Sequence, residues 1–363
     1  MENLVNATAP MLDPRGRRIL VTGHTGFKGA WLSEWLLQAG GQVCGVALPP
    51  EQPGSLFERL GLDARLDRHV ACDVRDAAAL AQAVAACQPD VVFHLAAQAL
   101  VRRSYRQPLL TWETNVTGTL NVLEAVRVLG RPVTVVVVTT DKVYRNREWE
   151  FAYREEDELG GHDPYSASKA ACELAVASWR ASFGEQSQVK VVTARAGNVI
   201  GGGDFSEDRI VPDCYRAWRE GKAVSLRNPG STRPWQHVLE PLSGYLALAA
   251  HVMAGDAADI TACNFGPGSA GDRTVESLVR LMAGQDPDRR WTITPGPQPH
   301  EARSLALSID RARHVLGWTP KLGFEDTVAW TDRGYAVAPA DLPDLVREQI
   351  AAYRRLCALP SHG

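Results

Sequence analysis

Tyr165 and Lys169 stand four residues apart in Tyr165-Ser166-Ala167-Ser168-Lys169, a spacing that projects both from one face of a helix. A phenol is a useful base near neutral pH only when it is acidified, and a neighbouring ammonium favours the phenolate. Upstream, Thr139-Thr140-Asp141-Lys142 sets two hydroxyls, an acid and a base in succession. Further upstream, Gly23-His24-Thr25-Gly26-Phe27-Lys28-Gly29 has the composition of a loop whose backbone approaches a phosphate. Each signal is weak alone. A Tyr-x-x-x-Lys is common, and a glycine triplet serves equally well as a tight turn.

The elements around them sharpen the signals. Arg17–Thr22 reads as a strand, Ala30–Gln38 as an amphipathic helix and Gln42–Ala47 as a second strand. Strand, glycine turn, helix and strand make a βαβ unit, the setting in which such a turn binds a dinucleotide. Val133-Thr134-Val135-Val136-Val137-Val138 is a β-branched run of the kind buried on both faces of a parallel sheet. Its polar end then falls at the carboxyl edge, where open α/β sheets bind ligands. Helices are expected over Leu56–Leu66, from Ala77, over Leu109–Leu129, Ala171–Phe183 and Leu342–Leu359. Further strands are expected at His69–Val74, Pro89–Gln98 and Val189–Ala196. The fold class is α/β, a doubly wound parallel sheet of the Rossmann type with a smaller C-terminal α/β domain.

The division expected is a flexible lead-in over 1–16, a dinucleotide-binding domain over 17–200 and a mainly substrate-binding domain over 201–363. Trp235–Val238 and Cys263–Gly266 read as strands returning to the main sheet. The chain's 363 residues suffice for a sizeable core, and 45% apolar with 22% charged content is that of a globular protein. A formal charge of −3 argues against bulk capture of nucleic acid. No stretch has the length of a membrane span, and Met1–Gly16 lacks a signal peptide's apolar core. Seven scattered cysteines without a C-x-x-C pair suit reduced thiols in the cytoplasm, with neither a disulfide framework nor a metal site.

Several residues stay open at this level. The second strand ends Val46-Ala47-Leu48-Pro49-Pro50, without the acid that would bind adenosine ribose hydroxyls or the arginine that would favour a 2′-phosphate. Charge therefore does not choose between NAD and NADP. Asp73 reads either as a partner for an adenine amino group or as the N-cap of the helix from Ala77. His94 reads as a satisfied core histidine. Asn115 is a surface amide or a positioned polar contact. Arg209, Arg233 and Arg303 suit a diphosphate, since the planar fork takes phosphate oxygens in pairs. Gly201-Gly202-Gly203 reads as an adaptable loop at the sheet's carboxyl edge.

With those residues in place, the chain resembles the extended short-chain dehydrogenase/reductase family over nearly its whole length. Within that family, of NAD-dependent epimerases and dehydratases, it is most similar to the CDP-glucose 4,6-dehydratases. The glycine turn through Ala30-Trp31-Leu32, Thr140–Trp149, Gly160–Lys169 and Arg195–Asp204 carry the likeness. The resemblance implies NAD held by Gly23, Thr25, Gly26, Phe27, Lys28, Gly29, Asp73, Val74, Leu95, Ala96, Ala97, Gln98, Asn115, Thr139, Tyr165 and Lys169. It implies a nucleotide-sugar, CDP-glucose, held by Asn198, Arg209, Arg233 and Arg303, and a homodimer or tetramer built on the helices around Leu109–Leu129 and Ala171–Phe183. In the implied reaction hydride leaves sugar C4, water is eliminated across C5–C6, and hydride returns to C6. Thr140 would orient the C4 hydroxyl, Tyr165 with Lys169 would take its proton, and Asp141 would protonate the departing C6 hydroxyl. Where this chain has Asp141-Lys142, dTDP-sugar dehydratases carry Asp-Glu, and the residue that removes the C5 proton stays open between Lys142 and another group. The family's usual Thr-Ser-Asp-Lys-Cys-Tyr is here Thr139-Thr140-Asp141-Lys142-Val143-Tyr144, which keeps the hydroxyl and changes packing at one position.

Overall fold

A strand buried on both faces must sit inside a sheet, and Val133–Val138 does so. The computed structural model describes residues 10–255, 260–268, 272–293 and 305–359. Six strands come first: β1 (Arg18–Thr22), β2 (Gln42–Ala47), β3 (Arg68–Ala71), β4 (Val91–His94), β5 (Val133–Val138) and β6 (Val189–Ala196). Short strands follow as β7 (Val199–Ile200), β8 (Val224–Leu226), β9 (Thr232–Pro234) and β10 (Gln236–His237), then β11 (Ala262–Phe265), β12 (Asp272–Thr274) and β13 (Trp291–Ile293). The main sheet has seven strands in the order β11-β6-β5-β4-β1-β2-β3. Every neighbouring pair is parallel. The order reverses direction between β1 and β4, the switch point at which a doubly wound Rossmann sheet opens a crevice.

Burial on both faces produces two apolar layers. One face packs on the helices Phe27–Gln38, Leu239–Ala254 and Leu342–Ala358, with Trp31, Leu36, Leu242 and Tyr353 fully buried. The other packs on Ala77–Cys87, Gly118–Arg127 and Pro164–Phe183. A separate core over Val211, Trp218, Leu278, Met282 and Val328 holds the smaller unit, together with the two-stranded pairs β8–β13 and β9–β12.

Three expectations change. Of the two strands expected to return to the main sheet, β11 does, alongside β6. β10 instead pairs with β7 in a two-stranded sheet of its own. The expected lead-in packs down over its described part: Leu12 is buried, its N–H donates to the Leu246 carbonyl at 3.1 Å, and Arg15 bridges to Gly41. An apolar side chain in that segment outweighs its polar composition. The helix expected over Leu56–Leu66 is two short pieces, because Gly61 sits at φ +59° between them.

His94 is the satisfied core histidine the sequence suggests. Its Nδ1 lies 2.7 Å from the Thr22 hydroxyl and its Nε2 2.9 Å from that of Thr119. Burial, helped by the Lys169 charge, pulls its pKa down to about 3. Above pH ~6.5 the ring is neutral folded and unfolded alike, and it adds no pH dependence. Below ~6.5 the unfolded chain takes up a proton that the folded chain refuses, so stability falls as pH falls. The loss is about 1.4 kcal/mol per pH unit. His94→Gln lacks that loss. Urea unfolding at pH 7 and pH 5 is expected to show the wild-type advantage shrinking by about 2 kcal/mol at the lower pH, and an unchanged gap would mean the imidazole takes its proton while folded.

Candidate active site

The glycine turn joins β1 to the helix Phe27–Gln38, which begins one turn earlier than its amphipathic pattern suggests. Two glycines are required by space. Gly23 has φ +75°, and a Cβ there would lie 2.7 Å from the Ala96 nitrogen. A Cβ on Gly29 would lie 2.1 Å from the Gly23 carbonyl oxygen. Gly26 is different: it is exposed, it opens the helix without a side-chain cap, and a Cβ there would meet only the Gly23 oxygen at 3.4 Å. The first helical N–H groups thus face an open cradle that suits a diphosphate. The Thr25 hydroxyl donates to the Leu48 carbonyl at 2.8 Å and pins the turn to the end of β2.

Around this cradle the remaining expected dinucleotide contacts divide. Leu95, Ala96 and Ala97 line the end of β4 half-buried, and the Leu95 and Ala96 N–H groups donate to Thr22, at 3.1 Å to its carbonyl and 3.2 Å to its hydroxyl. Asp73 follows β3, and its carboxylate accepts from Arg75 at 2.6 Å, which holds its pKa below the usual carboxylate range. The N-cap of the following helix is Asp76, not Asp73. Val74 is buried against Gly118.

Asn115 is no surface amide. The helix that contains it makes a single π-type turn over Glu113–Thr117, which carries Asn115 inward to full burial. Its amide donates to the Gln98 carbonyl at 3.1 Å and to the Ser168 hydroxyl at 2.9 Å, and accepts from the Gln98 N–H at 2.9 Å. The Gln98 side chain is occupied in turn by Thr111 and Leu100. These two residues join the end of β4 to the helix bearing Tyr165 and Lys169.

The polar end of β5 runs into a single 3₁₀ turn over Asp141–Val143, capped by Thr140. The Thr140 hydroxyl lies 3.0 Å from the Asp141 carboxyl group. Asp141 is buried, and burial pushes its pKa up against the opposing pull of Lys142, Thr140, Arg233 and Lys28. A Cβ on Gly197 would lie 3.3 Å from Asp141 Oδ2, so this carboxyl borders the loop after β6. Lys142 is half-buried beside it.

Across from that turn, Asp163 caps the helix Pro164–Phe183 by accepting from the Ser166 N–H at 2.9 Å. Tyr165 is buried in its first turn, and its own N–H donates to Ser104 Oγ at 3.1 Å. The acidification expected of Tyr165 does not prevail: burial pushes the phenol up to about 12, and a hydrogen bond from Thr140 and the charge of Arg209 oppose that rise. Lys169, one turn on, donates to the Val138 carbonyl at 3.0 Å, which seats its amine at the very end of β5. Burial lowers its pKa.

Lys28 joins the same group. It lies 3.4 Å from the Tyr245 hydroxyl, and burial, with the charges of Arg209 and Lys169, pulls its amine down to about 7 while Asp141 opposes. Arg209 directly precedes the helix Ile210–Arg219 without capping it through its side chain, and pairs with Asp204 at 3.1 Å. Arg233 is buried, donating to the Thr232 carbonyl at 2.9 Å. Asn198 is half-buried, its carbonyl accepting from the Gln236 N–H at 3.0 Å. Arg303 lies outside the described residues. Lys142, Arg233 and Lys28 therefore act on Asp141 and Arg209 acts on Tyr165, a setting suited to an anionic, hydroxyl-bearing ligand.

The loop Gly201-Gly202-Gly203 is pinned, against the expectation that it is adaptable. The Trp31 indole N–H donates to the Gly202 carbonyl at 3.0 Å. Gly202 also meets Gly334 backbone to backbone, and a Cβ on either would come within 2.4–2.7 Å of the other's Cα. Sequence reasoning missed Tyr245, which sits in an ordinary apolar helix, and the buried pair Glu173–Arg195. Glu173 did leave a signal, standing one helical turn beyond Lys169. Among the described residues no cluster of His, Cys, Asp and Glu is arranged for a metal, and no helix is long and apolar enough to cross a membrane.

Comparisons with known proteins agree with the fold and show the family. The profile of the GDP-mannose 4,6-dehydratase family matches residues 20–331. A CDP-glucose 4,6-dehydratase of Salmonella typhimurium is 45% identical over 320 residues, which cover 86% of this chain and 89% of that protein. The Mth375 epimerase of Methanothermobacter thermautotrophicus superposes with a TM-score of 0.76 at 22% identity, covering 92% of this chain and 95% of that one. A UDP-glucose 4-epimerase of Stenotrophomonas maltophila, solved with bound NAD, gives 0.75 at 22% identity over 88% and 98% of the two chains.

Proposed function

The chain belongs to the GDP-mannose 4,6-dehydratase family, and from that membership we propose that it is an NAD-dependent hydro-lyase converting CDP-glucose to CDP-4-keto-6-deoxyglucose. One observation carries the reaction type: a buried acid, Asp141, held within reach of Thr140 at the strand end that faces the Tyr165–Lys169 helix. The cytidine nucleotide is supported by the 45% identity to the Salmonella enzyme.

Bound NAD supplies a hydride acceptor that later returns the hydride. The open cradle at Gly26, closed on its other sides by Gly23 and Gly29, fits its diphosphate, with Lys28 alongside. Leu95–Ala97 leave room for a flat ring system. The protein's own residues do the proton chemistry. Thr140 orients the C4 hydroxyl, and Tyr165 takes its proton as C4 is oxidised. The C4 ketone then acidifies the C5 proton. Asp141, whose pKa burial raises, is the acid that gives a proton to the departing C6 hydroxyl. Lys142 stands beside Asp141 as the candidate for the C5 base. Arg209 and Arg233 meet the nucleotide's diphosphate, with Asn198 at the sugar.

Leu109, Trp112 and Leu174 are exposed on helices expected to pair between subunits, which supports a homodimer. The seven free cysteines, six of them buried, support a cytoplasmic enzyme. The test is incubation with CDP-, dTDP-, GDP- and UDP-glucose, following the 4-keto-6-deoxy product by NMR. CDP-glucose is expected to turn over fastest. No turnover of any glucose nucleotide would sink the dehydratase reading.

A further inference from the structure

Glu173 lies deep beneath the site and touches none of the groups assigned to the chemistry except through hydrogen bonds and charge. Its carboxylate accepts from the Thr139 hydroxyl at 2.5 Å and from the Thr193 hydroxyl at 2.7 Å. It also accepts twice from Arg195, each at 2.9 Å. Both members of this ion pair are 4% exposed, so neither is free to relax into water. The guanidinium continues the network. It donates to the Tyr144 hydroxyl and the Glu155 carbonyl, each at 2.9 Å, and lies over the Tyr144 ring at 5.1 Å. Tyr144 donates to Asn264 at 2.7 Å.

Thr139 and Tyr144 bracket the turn that carries Thr140, Asp141 and Lys142. One buried pair therefore grips both ends of that turn from the helix that carries Tyr165 and Lys169. A buried pair held by this many hydrogen bonds specifies geometry at a cost in desolvation. Fully satisfied polar networks of this kind hold one arrangement of their elements.

We infer that Glu173, paired with Arg195, is a positioning residue: it fixes Thr140 and Asp141 relative to Tyr165 and sets a carboxylate one helical turn beyond Lys169 on the same helix. The inference rests on the proposed dehydratase reaction for its kinetic consequence. The charges facing Lys169 are few. Glu173 and Cys172 come from its own helix, His94 from β4 and Lys28 from the glycine-turn helix, and Tyr165 lies one turn before it. Of these Glu173 is the anion, and its removal favours the neutral amine.

The experiment compares Glu173→Gln and Thr139→Val with the unsubstituted enzyme, with circular dichroism and melting to establish folding. Misplacing a catalytic group by an ångström can cost up to about 100-fold in rate. Glu173→Gln is expected to lower kcat by about 10- to 100-fold, with KM within about twofold. The alkaline limb of its pH–rate profile should move to lower pH. Thr139→Val removes the tether alone and keeps the ion pair. It should lower kcat by a smaller factor and leave the alkaline limb in place. Independently of substrate, side-chain nitrogen NMR of isotope-labelled lysine, assigned with Lys169→Met, should show the Lys169 amine titrating at lower pH in Glu173→Gln. A folded Glu173→Gln with an unmoved Lys169 titration overturns the inference. Failure of the unsubstituted enzyme to turn over any nucleotide-sugar would instead count against the reaction, and the Lys169 titration would still decide the role of Glu173.

Discussion

Tyr165→Phe is expected to lower kcat by about three orders of magnitude, within the range that a positioned general base contributes. The phenol is buried at the start of its helix and shares a hydrogen bond with Thr140. Phenylalanine keeps the ring and its packing and removes only the group that takes the C4 hydroxyl proton. Without that transfer no C4 ketone forms, and both later steps lose their substrate. KM should stay within about threefold, because the lost interaction belongs to the transition state and not to ground-state binding. Burial holds this phenol near 12, so deprotonation arms the unsubstituted enzyme, and its kcat should climb as pH rises through neutrality. The residual rate of Tyr165→Phe should be flat over that range. A steady-state pH profile of both proteins checks the pair of expectations, and a parallel climb in the variant would move the base elsewhere.

Asp141→Asn divides the reaction at its midpoint. Asparagine keeps the shape and the contact with Thr140, and it has no proton to give. C4 oxidation should therefore continue while loss of the C6 hydroxyl slows by about 10²–10³-fold. NMR of the quenched mixture is expected to show a keto sugar that retains its C6 hydroxyl, without the methyl signal of the 6-deoxy product. Normal elimination would place the acid on another residue. The electrostatics make this a demanding test. Four groups pull Asp141 toward ionisation, namely Lys142, Thr140, Arg233 and Lys28, and burial outweighs them.

What the sequence disclosed and what it concealed follow from the range of the interactions. Val133–Val138 announces a buried strand because β-branched side chains on both faces are a local pattern. The glycine turn is legible because its spacing and its flanking strand and helix lie close together in the chain. Tyr165 and Lys169 are legible because helical spacing fixes their shared face. Asn115 is ambiguous in the sequence: whether this amide faces solvent depends on a π-type turn, which leaves no compositional trace. Leu12 docks on a helix far along the chain, and nothing near it foretells that contact. Glu173 and Arg195 come from a helix and a strand and meet only once the sheet is assembled. Arg209 and Arg233 show in the sequence only as charges, and the fold brings their fields onto Tyr165 and Asp141.

The contact between Gly202 and Gly334 has a consequence for how this chain can change over time. One glycine lies in the loop after β7, the other in the helix Phe324–Ala336, and each occupies the space a side chain on the other would need. No substitution at one can be rescued by a substitution at the other, since neither has anything left to remove. Mutational drift is thus closed at both positions together. A chimera that imports the loop from a relative to alter sugar preference inherits the same constraint. It should fold when the donor's partner helix travels with the loop, and lose the loop's path when it does not.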